Sequence, residues 1–430
     1  MFNTFINIFK IADLRRRVLF TLLMLVVFRI GSQIPVPGIN VTLLEQLSQK
    51  NNIVGFLNTF SGGALKNFSV FSMGIMPYIT ASIIMQLLAM DVVPKFTEWA
   101  KEGDIGRRKT AQFTRYFTVV LGLIQAIGLS IGFNRMVPGL VIHPGFASYA
   151  LIALILTAGT AFLMWMGEEI TEKGIGNGIS IIIFAGIVAA IPGGAQNIYA
   201  TEFTGGQNDV FMNVVKILII LIAVILIVTL VVYVQQAYRK IPVQYAKRVV
   251  GRKMYGGQST HIPLKVNTAG VIPVIFALSL IVFPPTIAQF WSGHPFADWV
   301  QRTFDYRSSV GMVLYVVLII GFSYFYTFVQ MKPDEMADNM KKNGGYIPGI
   351  RPGNETALYI TRTLNRITLT GSIFLAAVSV LPMLFSSVSG LPQSVRIGGT
   401  ALLIVVGVAL DTMKQLESQL VKRHYKGFIK

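Results

Sequence analysis

Residues 213–234 read NVVKILIILIAVILIVTLVVYV, a run of 22 residues in which Lys216 is the single charge. A helix of about 20 predominantly apolar residues crosses a hydrocarbon core about 30 Å thick, so this run predicts a membrane-spanning helix. Similar runs recur along the 430 residues, of which 53% are hydrophobic and 13% are charged, and the mean hydropathy is +0.61. Soluble domains carry about twice that share of charge. The composition excludes a disordered chain, a secreted disulfide scaffold and a soluble enzyme, and it predicts an all-α polytopic membrane protein.

Ten transmembrane helices are predicted when the apolar runs are read together with the Gly and Pro breakers between them. The predicted spans are 18–34, 71–93, 116–133, 148–166, 177–191, 213–234, 268–290, 310–329, 367–385 and 397–410. The fifth and tenth spans are short, which fits helices that are sheltered inside the bundle.

The cations are distributed unevenly between the two sides of the predicted bundle. The chain holds 37 Lys and Arg residues against 19 Asp and Glu residues, a net charge of +18. Twenty-nine cations fall in the terminal segments and even-numbered connections, six fall in the odd-numbered connections, and Lys216 and Arg29 lie within spans. Cytoplasmic loops of membrane proteins carry an excess of Lys and Arg. We therefore predict a multi-pass protein of the cytoplasmic membrane with both termini in the cytoplasm.

The ten spans divide into two halves of five, and an odd number of spans per half inverts the second half relative to the first. The second span of each half opens with Gly-x-x-Pro, at Gly74–Pro77 and at Gly270–Pro273. Such echoes are typical of inverted repeats, whose working site lies between the halves, although Gly and Pro are also common in membrane helices. The expected division is 1–192, with spans one to five, and 193–430, with spans six to ten.

Charged groups are missing where coupled transporters need them. No Asp or Glu lies well inside a predicted span, and Asp91 and Asp411 lie at span ends. Ion- and proton-coupled transporters usually keep ionisable groups at membrane depth. A secondary solute transporter of the inverted-repeat type is therefore the weaker alternative. Arg29 is the one charge expected to be buried in a span, where it reaches an interface or donates to helix-terminal carbonyls.

Enzyme signatures are missing as well. The chain has no HExxH, GxSxG or P-loop motif, its four histidines are scattered, and it has no cysteine. We expect no catalytic activity, no metal site and no cofactor. An intramembrane protease or lipid-modifying transferase would depend on a polar catalytic residue, and the sequence nominates none. Any work that the protein assists must then be driven by a partner.

Isoleucines occur four residues apart at the start of two spans, as Ile75 with Ile79 and as Ile179 with Ile183. Residues four apart share one face of a helix, and the β-branched side chain of isoleucine is stiff. A ring of such side chains would form a narrow apolar collar from which water withdraws, and such a collar resists ions. Ordinary core packing is the alternative for isoleucines in membrane helices.

Between spans one and two, residues 55–68 read GFLNTFSGGALKNF. This segment is too short and polar to cross a bilayer, yet it is more apolar than an ordinary loop. One interpretation is a half-length helix that dips back into the protein, since irregular backbone at membrane depth must be buried in protein or line a cavity. An interfacial helix on the outer surface is the alternative.

Two long connections lie on the predicted cytoplasmic side. Residues 235–267 carry seven cations and no acid, a pattern that favours anionic lipid headgroups or nucleic acid. Residues 332–366 combine acids with a Gly/Pro-rich stretch, GGYIPGIRPG at 344–353. The positive-inside bias alone would also explain the cations of both connections. Their length favours docking surfaces for partners, because connections that only join helices are usually much shorter.

Seven ordered stretches form a pattern far more specific than hydropathy. They are FRIGS (28–32), IPVPG (34–38), FSGGAL (60–65), GIMPYITASII (74–84), EKGIGNGISIIIFAGI (172–187), QSTHIPLKVN (258–267) and GIRPG (349–353). In these stretches the chain resembles the SecY family, the channel-forming subunits of the bacterial Sec protein translocase, from about residue 15 to 410. The resemblance implies a clamshell of two inverted halves around a central hourglass pore. Unfolded polypeptides pass through this pore, and hydrophobic segments leave it sideways into lipid.

The resemblance also implies roles for individual residues. It places a pore ring at Ile75, Ile79, Ile179, Ile183, Ile275 and Ile404. It places a plug helix at about 57–69, which includes Phe60, Ser61, Gly62, Gly63, Ala64 and Leu65. It forms a lateral gate from spans two and three against spans seven and eight, with polar positions at Thr80, Gln86 and Asn267.

Partners follow from the same resemblance. The implied partners are the SecE and SecG subunits, the motor ATPase SecA, the ribosome, signal sequences and translocating polypeptides, and anionic membrane lipids. Arg252, Lys253 and Arg351 correspond to the cations that engage SecA or the ribosome. Lys253 replaces an arginine of the family and lacks the bidentate fork of a guanidinium, so a specific phosphate contact is not expected there.

Overall fold

The computed structural model describes residues 11–41, 43, 61–89, 92–203, 210–245, 248–250, 253–255, 259–288, 291, 294–305, 308–389 and 398–426. The helices of the first part are α1 Ala12–Gly31, α2 Met76–Leu88, α3 Pro94–Lys101, α4 Asp104–Met136, α5 Phe146–Lys173 and α6 Gly178–Phe203. Those of the second part are α7 Val210–Gln235, α8 Ile272–Ala288, α9 Pro295–Thr303, α10 Ser309–Gln330, α11 Pro333–Lys342, α12 Asn354–Ser389 and α13 Gly398–Lys426. The strands are β1 Tyr238–Tyr245, β2 Arg248–Val250, β3 Lys253–Tyr255, β4 Ser259–Lys265 and β5 Gly345–Tyr346.

Ten of these helices correspond in order to the ten predicted spans, namely α1, α2, α4, α5, α6, α7, α8, α10, α12 and α13. Within the described residues, five helical segments are long and apolar enough to cross a membrane, and three apolar segments in α2, α6 and α8 are shorter. The predicted fold class, a helical membrane protein of ten spans in two halves, is confirmed.

The two Gly-x-x-Pro sequences have the same local structure. Gly74 and Gly270 both have positive φ, at 58° and 64°, which glycine adopts without the steric cost that a side chain would add. Pro77 and Pro273 are each the second residue of the helix that follows, where the missing N–H of proline costs nothing. The predicted spans 71–93 and 268–290 were therefore too long, since the turn around each glycine delays the helix.

The two halves meet along two seams. Along the first, α2 and α4 lie against α8, and along the second, α6 lies against α7 and α13. Because α7 follows α6 directly in sequence, the second seam is restrained by the chain, whereas no short connection joins α2 or α4 to α8. The chain places no such restraint on the first seam. Helix α6 continues through Pro192 to Phe203, but its apolar part, Gly178–Gly193, agrees with the predicted span 177–191. A proline inside a membrane helix is tolerated when its surroundings satisfy the freed carbonyl.

The two long connections contain β-structure that the all-α prediction missed. Strand β1 pairs antiparallel with β4 from its own connection and with β5 from the other, in the order β4-β1-β5. Strands β2 and β3 pair with each other. Ile241 and Val243 alternate with exposed residues along β1 and are buried with Leu264, Ile347 and Leu364 in a small apolar core. The connections 235–267 and 332–366 therefore form one folded unit, called here the sheet unit.

Candidate functional site

The isoleucines of the predicted pore ring belong to one apolar cluster that both halves share. Ile79 and Ile183 lie on α2 and α6 of the first half, and Ile275 and Ile404 lie on α8 and α13 of the second half. All four are buried in one continuous apolar cluster together with Ile75, and the half-buried Ile179 packs against it. Side chains from both halves thus close the middle of the molecule with hydrocarbon.

Among the described residues, no buried side chain is charged. The buried polar side chains of the described residues are all Ser, Thr, Asn or Gln, and none of their Asp, Glu, Lys or Arg side chains is buried. The described residues also contain no group of three or more potential metal ligands. An ion in this constriction would lose its hydration shell and receive no compensating charge, so the cluster opposes ion passage.

The plug segment lies inside the protein, but the described part is not a helix. Residues 61–69 form consecutive turns, in which Gly62 and Gly63 have φ of 69° and 86°, a region that a regular helix does not use. Ala64, Leu65 and Phe68 are fully buried, which excludes the alternative of an interfacial helix on the outer surface. The prediction of a plug helix is therefore wrong for residues 61–69. Phe60 and the rest of the predicted plug lie outside the described residues.

The plug segment packs closely against the first half. A Cβ atom added to Gly62 would lie 3.0 Å from the Cα of Gly186 on α6 and 3.3 Å from the Phe28 ring on α1. Ala64 belongs to the same apolar cluster as the isoleucines, whereas Leu65 and Phe68 pack with Phe133 in a neighbouring cluster. The segment thus covers one side of the isoleucine cluster.

Hydrogen bonds connect the plug segment to α1 and to residues 34–36, which follow α1. The Arg29 guanidinium donates from Nη1 to the Gly62 carbonyl at 2.6 Å. Val36 N–H donates to the Phe68 carbonyl at 2.9 Å, and Val70 N–H donates to the Ile34 carbonyl at 3.0 Å. The sequence predicted a buried Arg29, and that prediction is wrong, because Arg29 is exposed while it donates to the plug segment.

A small cavity lies in the first seam. It has a volume of about 30 Å³ and is lined by Thr80 and Met76 of α2, Gln125 of α4, and Ser279, Val282 and Thr286 of α8, among others. This volume and its polar lining would fit a buried water molecule. Of these residues the sequence predicted only Thr80, because the others lie within ordinary apolar runs.

The hydroxyl groups of this seam are satisfied within their own helices. Thr80 donates to the Met76 carbonyl at 3.1 Å, Ser279 to the Ile275 carbonyl at 2.9 Å, and Thr286 to the Val282 carbonyl at 2.7 Å. Across the seam, the Ser279 hydroxyl lies 3.8 Å from the Met76 sulfur, a weak acceptor. Separating α2 from α8 therefore sacrifices little hydrogen bonding and mainly costs apolar contact.

The other two predicted gate residues lie elsewhere. Asn267 donates to the Gly270 carbonyl at 2.9 Å and so braces the turn before α8. It lines a second cavity of about 280 Å³ beside the sheet unit. Gln235 and Asp411 line the same cavity. Gln86 donates to Ser82 on its own helix at 3.2 Å. The structure therefore does not bring Thr80, Gln86 and Asn267 together in one site.

A sequence model of the SecY family matches residues 69–413. The chain belongs to the SecY family. The protein translocase subunit SecY of Halalkalibacterium halodurans is 65% identical to it, and that of Bacillus subtilis is 58% identical, with 100% of both chains covered in each case. A solved structure described as that of a protein conducting channel matches with a TM-score of 0.65 at 19% identity, covering 97% of this chain and 95% of the other. The Sec61 chain of a canine ribosome–channel complex matches with a TM-score of 0.60 at 17% identity, covering 97% and 95%.

In this SecY chain the sheet unit presents one of the three predicted docking cations. Arg351 is exposed in the turn between Gly349 and Gly353, whose φ values are 82° and 106°. Its carbonyl accepts a hydrogen bond from the Thr356 hydroxyl at 2.9 Å, which fixes the turn to the start of α12. Lys253 begins β3, and Arg252 lies outside the described residues.

Proposed function

We propose that this SecY chain is the protein-conducting channel of a translocase, which passes unfolded secretory polypeptides across the cytoplasmic membrane. The observation that carries the proposal is the uncharged apolar cluster formed by isoleucines from both halves. An unfolded chain presents every kind of side chain, so a pore that passes it cannot rely on selective polar sites. A collar of aliphatic side chains fits around any sequence and closes dry when the sequence has left. In this proposal Ile75, Ile79, Ile179, Ile183, Ile275 and Ile404 form that collar.

The first seam would serve as the lateral gate. No short connection joins α2 or α4 to α8, and the hydroxyls of Thr80 and Ser279 are satisfied within their own helices. A hydrophobic segment in the opened seam can therefore meet lipid without facing unsatisfied donors. Lipid is a better solvent for such a segment than an aqueous pore, so the segment leaves sideways. Thr80 lines this gate, and Gln86 and Asn267 would act at its margin and at the adjoining turn.

The plug segment and the partners complete the proposal. Residues 57–69 would seal the collar from the external side at rest. The distribution of cations favours a cytoplasmic location of both termini and of the sheet unit. Force would come from the SecA ATPase or from a translating ribosome, and the related Sec61 chain is described in a ribosome complex. SecE and SecG would complete the membrane assembly, and the basic connections would also meet anionic lipids.

The direct test is crosslinking of a client to the collar. A photoreactive amino acid replaces Ile79 or Ile275, and a secretory precursor is stalled halfway by a folded domain at its end. We expect both positions to crosslink to the precursor, because both side chains lie in the closing cluster. The control is Ile225 of α7, which is 57% exposed on the outer face. Crosslinks at Ile225 that equal those at Ile79 would contradict passage through the centre.

A charge reversal tests the docking surface. Arg351→Glu should lower SecA-dependent secretion about tenfold, the effect of ~1.4 kcal/mol of lost binding, and should impair ribosome-coupled insertion of membrane proteins less. Secretion into inverted vesicles and insertion of a model membrane protein are the two measurements. Lys341→Glu makes the same change of charge on α11 of the same unit and should have little effect. Equal loss of secretion and insertion would indicate misfolding and count against the docking role.

A further inference from the structure

The short helix α9 exposes two large aromatic side chains that the proposed channel function does not use. It connects α8 with α10 and comprises Pro295–Thr303. Phe296 and Trp299 are 62% and 58% exposed, although both are large and apolar. Their rings stack on each other, with centroids 6.1 Å apart and an interplanar angle of 25°. Together they form one projecting aromatic face.

Helix α9 is a rigid and amphipathic element rather than a loosely attached one. Its first turn is capped by His294, whose Nδ1 accepts from the Phe296 N–H at 3.3 Å, and Pro295 occupies the first helical position. Ala297 and Val300, on a second face, are buried against Ala288 at the end of α8. The aromatic face is therefore held outwards by a helix that is itself fixed to the gate helix.

The position of α9 indicates what covers this face. The helix lies where two membrane-spanning helices end, at the level of the membrane surface. The next helix, α10, exposes an apolar stripe formed by Val310, Val313 and Val317, which are 58% to 65% exposed. Residues three and four apart lie on one side of a helix, and such a stripe on a membrane helix faces acyl chains. Trp and aromatic residues are enriched at the level of the headgroups.

The corresponding helix of the other half provides a contrast. Helix α3 follows gate helix α2 as α9 follows gate helix α8, at the opposite surface of the inverted arrangement. It also begins with proline and carries a Phe–Trp pair, Phe96 and Trp99, with centroids 5.3 Å apart. That pair is covered by Phe113 of α4, and Lys95 and Lys109 lie 5.9 Å from the Trp99 ring. The aromatic pair of α3 is thus half-buried, whereas that of α9 is exposed.

We propose that α9 is an interfacial membrane anchor, whose Phe296 and Trp299 insert among phospholipids at the border between headgroups and acyl chains. The exposed Asp298 and Arg302 remain in water, at the helix ends where their charges suit the helix dipole. The ligand is the phospholipid surface itself and not a protein. Since α9 is packed on the end of α8, the anchor fixes the depth of the gate helix in the bilayer.

Tryptophan fluorescence tests this anchor in the full-length protein, because the chain has only four tryptophans. One variant retains Trp299 and carries Trp99→Phe, Trp165→Phe and Trp291→Phe. A matched variant retains Trp99 and carries Phe at the other three positions. Both are reconstituted into vesicles of phosphatidylcholine and phosphatidylglycerol. Some of these vesicles contain phosphatidylcholine brominated either near the carbonyl or near the methyl end of its acyl chains.

Bromine near the carbonyl end should quench about half of the Trp299 emission. Bromine near the methyl end and aqueous iodide should each quench clearly less. Trp99 should respond less to every brominated lipid, because protein side chains cover it. Quenching of Trp299 by iodide with no response to brominated lipid would overturn the proposal. Protection from both quenchers would also overturn it, and would indicate a protein or a second copy on this face. Matching far-ultraviolet circular dichroism spectra of the two variants show that both are folded.

Discussion

A chemical link across the first seam should stop translocation almost completely. The expected result concerns a chain with Met76→Cys and Ser279→Cys, treated with a short thiol-reactive crosslinker that a reductant cleaves. The side chains of these two residues approach within 3.8 Å across the seam. The native chain has no cysteine, so no other thiol reacts. A covalent link removes the open state from the equilibrium, and secretion should fall by more than an order of magnitude and recover on reduction.

The controls for the seam link separate gating from general damage. Each single-cysteine variant should remain active after the same treatment. Arg115→Cys with Glu168→Cys links α4 to α5 within the first half, at a native ion pair of 2.9 Å, and should crosslink without loss of secretion. Normal secretion through a fully crosslinked 76–279 pair would show that this seam does not have to open.

Polar substitutions in the isoleucine cluster should open a resting ion leak. In a chain with Ile183→Ser and Ile275→Ser, two hydroxyls replace buried aliphatic groups contributed by the two halves. Each substitution removes most of an isoleucine side chain, and the space that it leaves, lined by the new hydroxyl, can hold water. A wet constriction conducts ions. The conductance of planar bilayers without a client should therefore rise by more than an order of magnitude.

A lipid-facing isoleucine provides the matched control for the leak. Ile225→Ser makes the same chemical change at a position of α7 that is 57% exposed, and it should leave the resting conductance unchanged. Thermal unfolding of both variants should show that each is folded. A closed and silent channel with both Ile183→Ser and Ile275→Ser would mean that the plug segment alone holds back ions, and the role of the collar would be wrong.

The helices could be predicted from the sequence because each span is a local property of the chain. A run such as 213–234 has one stable structure in lipid, whatever surrounds it. The Gly-x-x-Pro sequences likewise act locally, and both delay a helix as their chemistry requires. The prediction of a plug helix was wrong for a local reason as well. The pair Gly62–Gly63 permits positive φ and so favours turns. The apolar character of the segment suggested a helix instead.

The sheet and the gate were harder to predict for different reasons. The alternation of Ile241 and Val243 in β1 indicates a strand. It covers only a short part of a segment whose most prominent feature is its seven cations. The seam could not be derived from one sequence, since Thr80 and Ser279 are brought together only by the packing of the two halves. Ile275 and Ile404 likewise could not be predicted from residue spacing. Only the family resemblance identified them.

In the proposed channel, the attachment of the plug segment determines how the channel reseals. At one end Arg29 holds Gly62, and at the other the chain at Ile34 and Val36 holds Phe68 and Val70. The two partners of each contact are separated by only a few tens of residues. A displaced segment therefore stays at an effective concentration in the millimolar range near its seat. Recovery of the barrier is then a first-order, intramolecular step, whose rate is independent of the number of channels and requires no external energy.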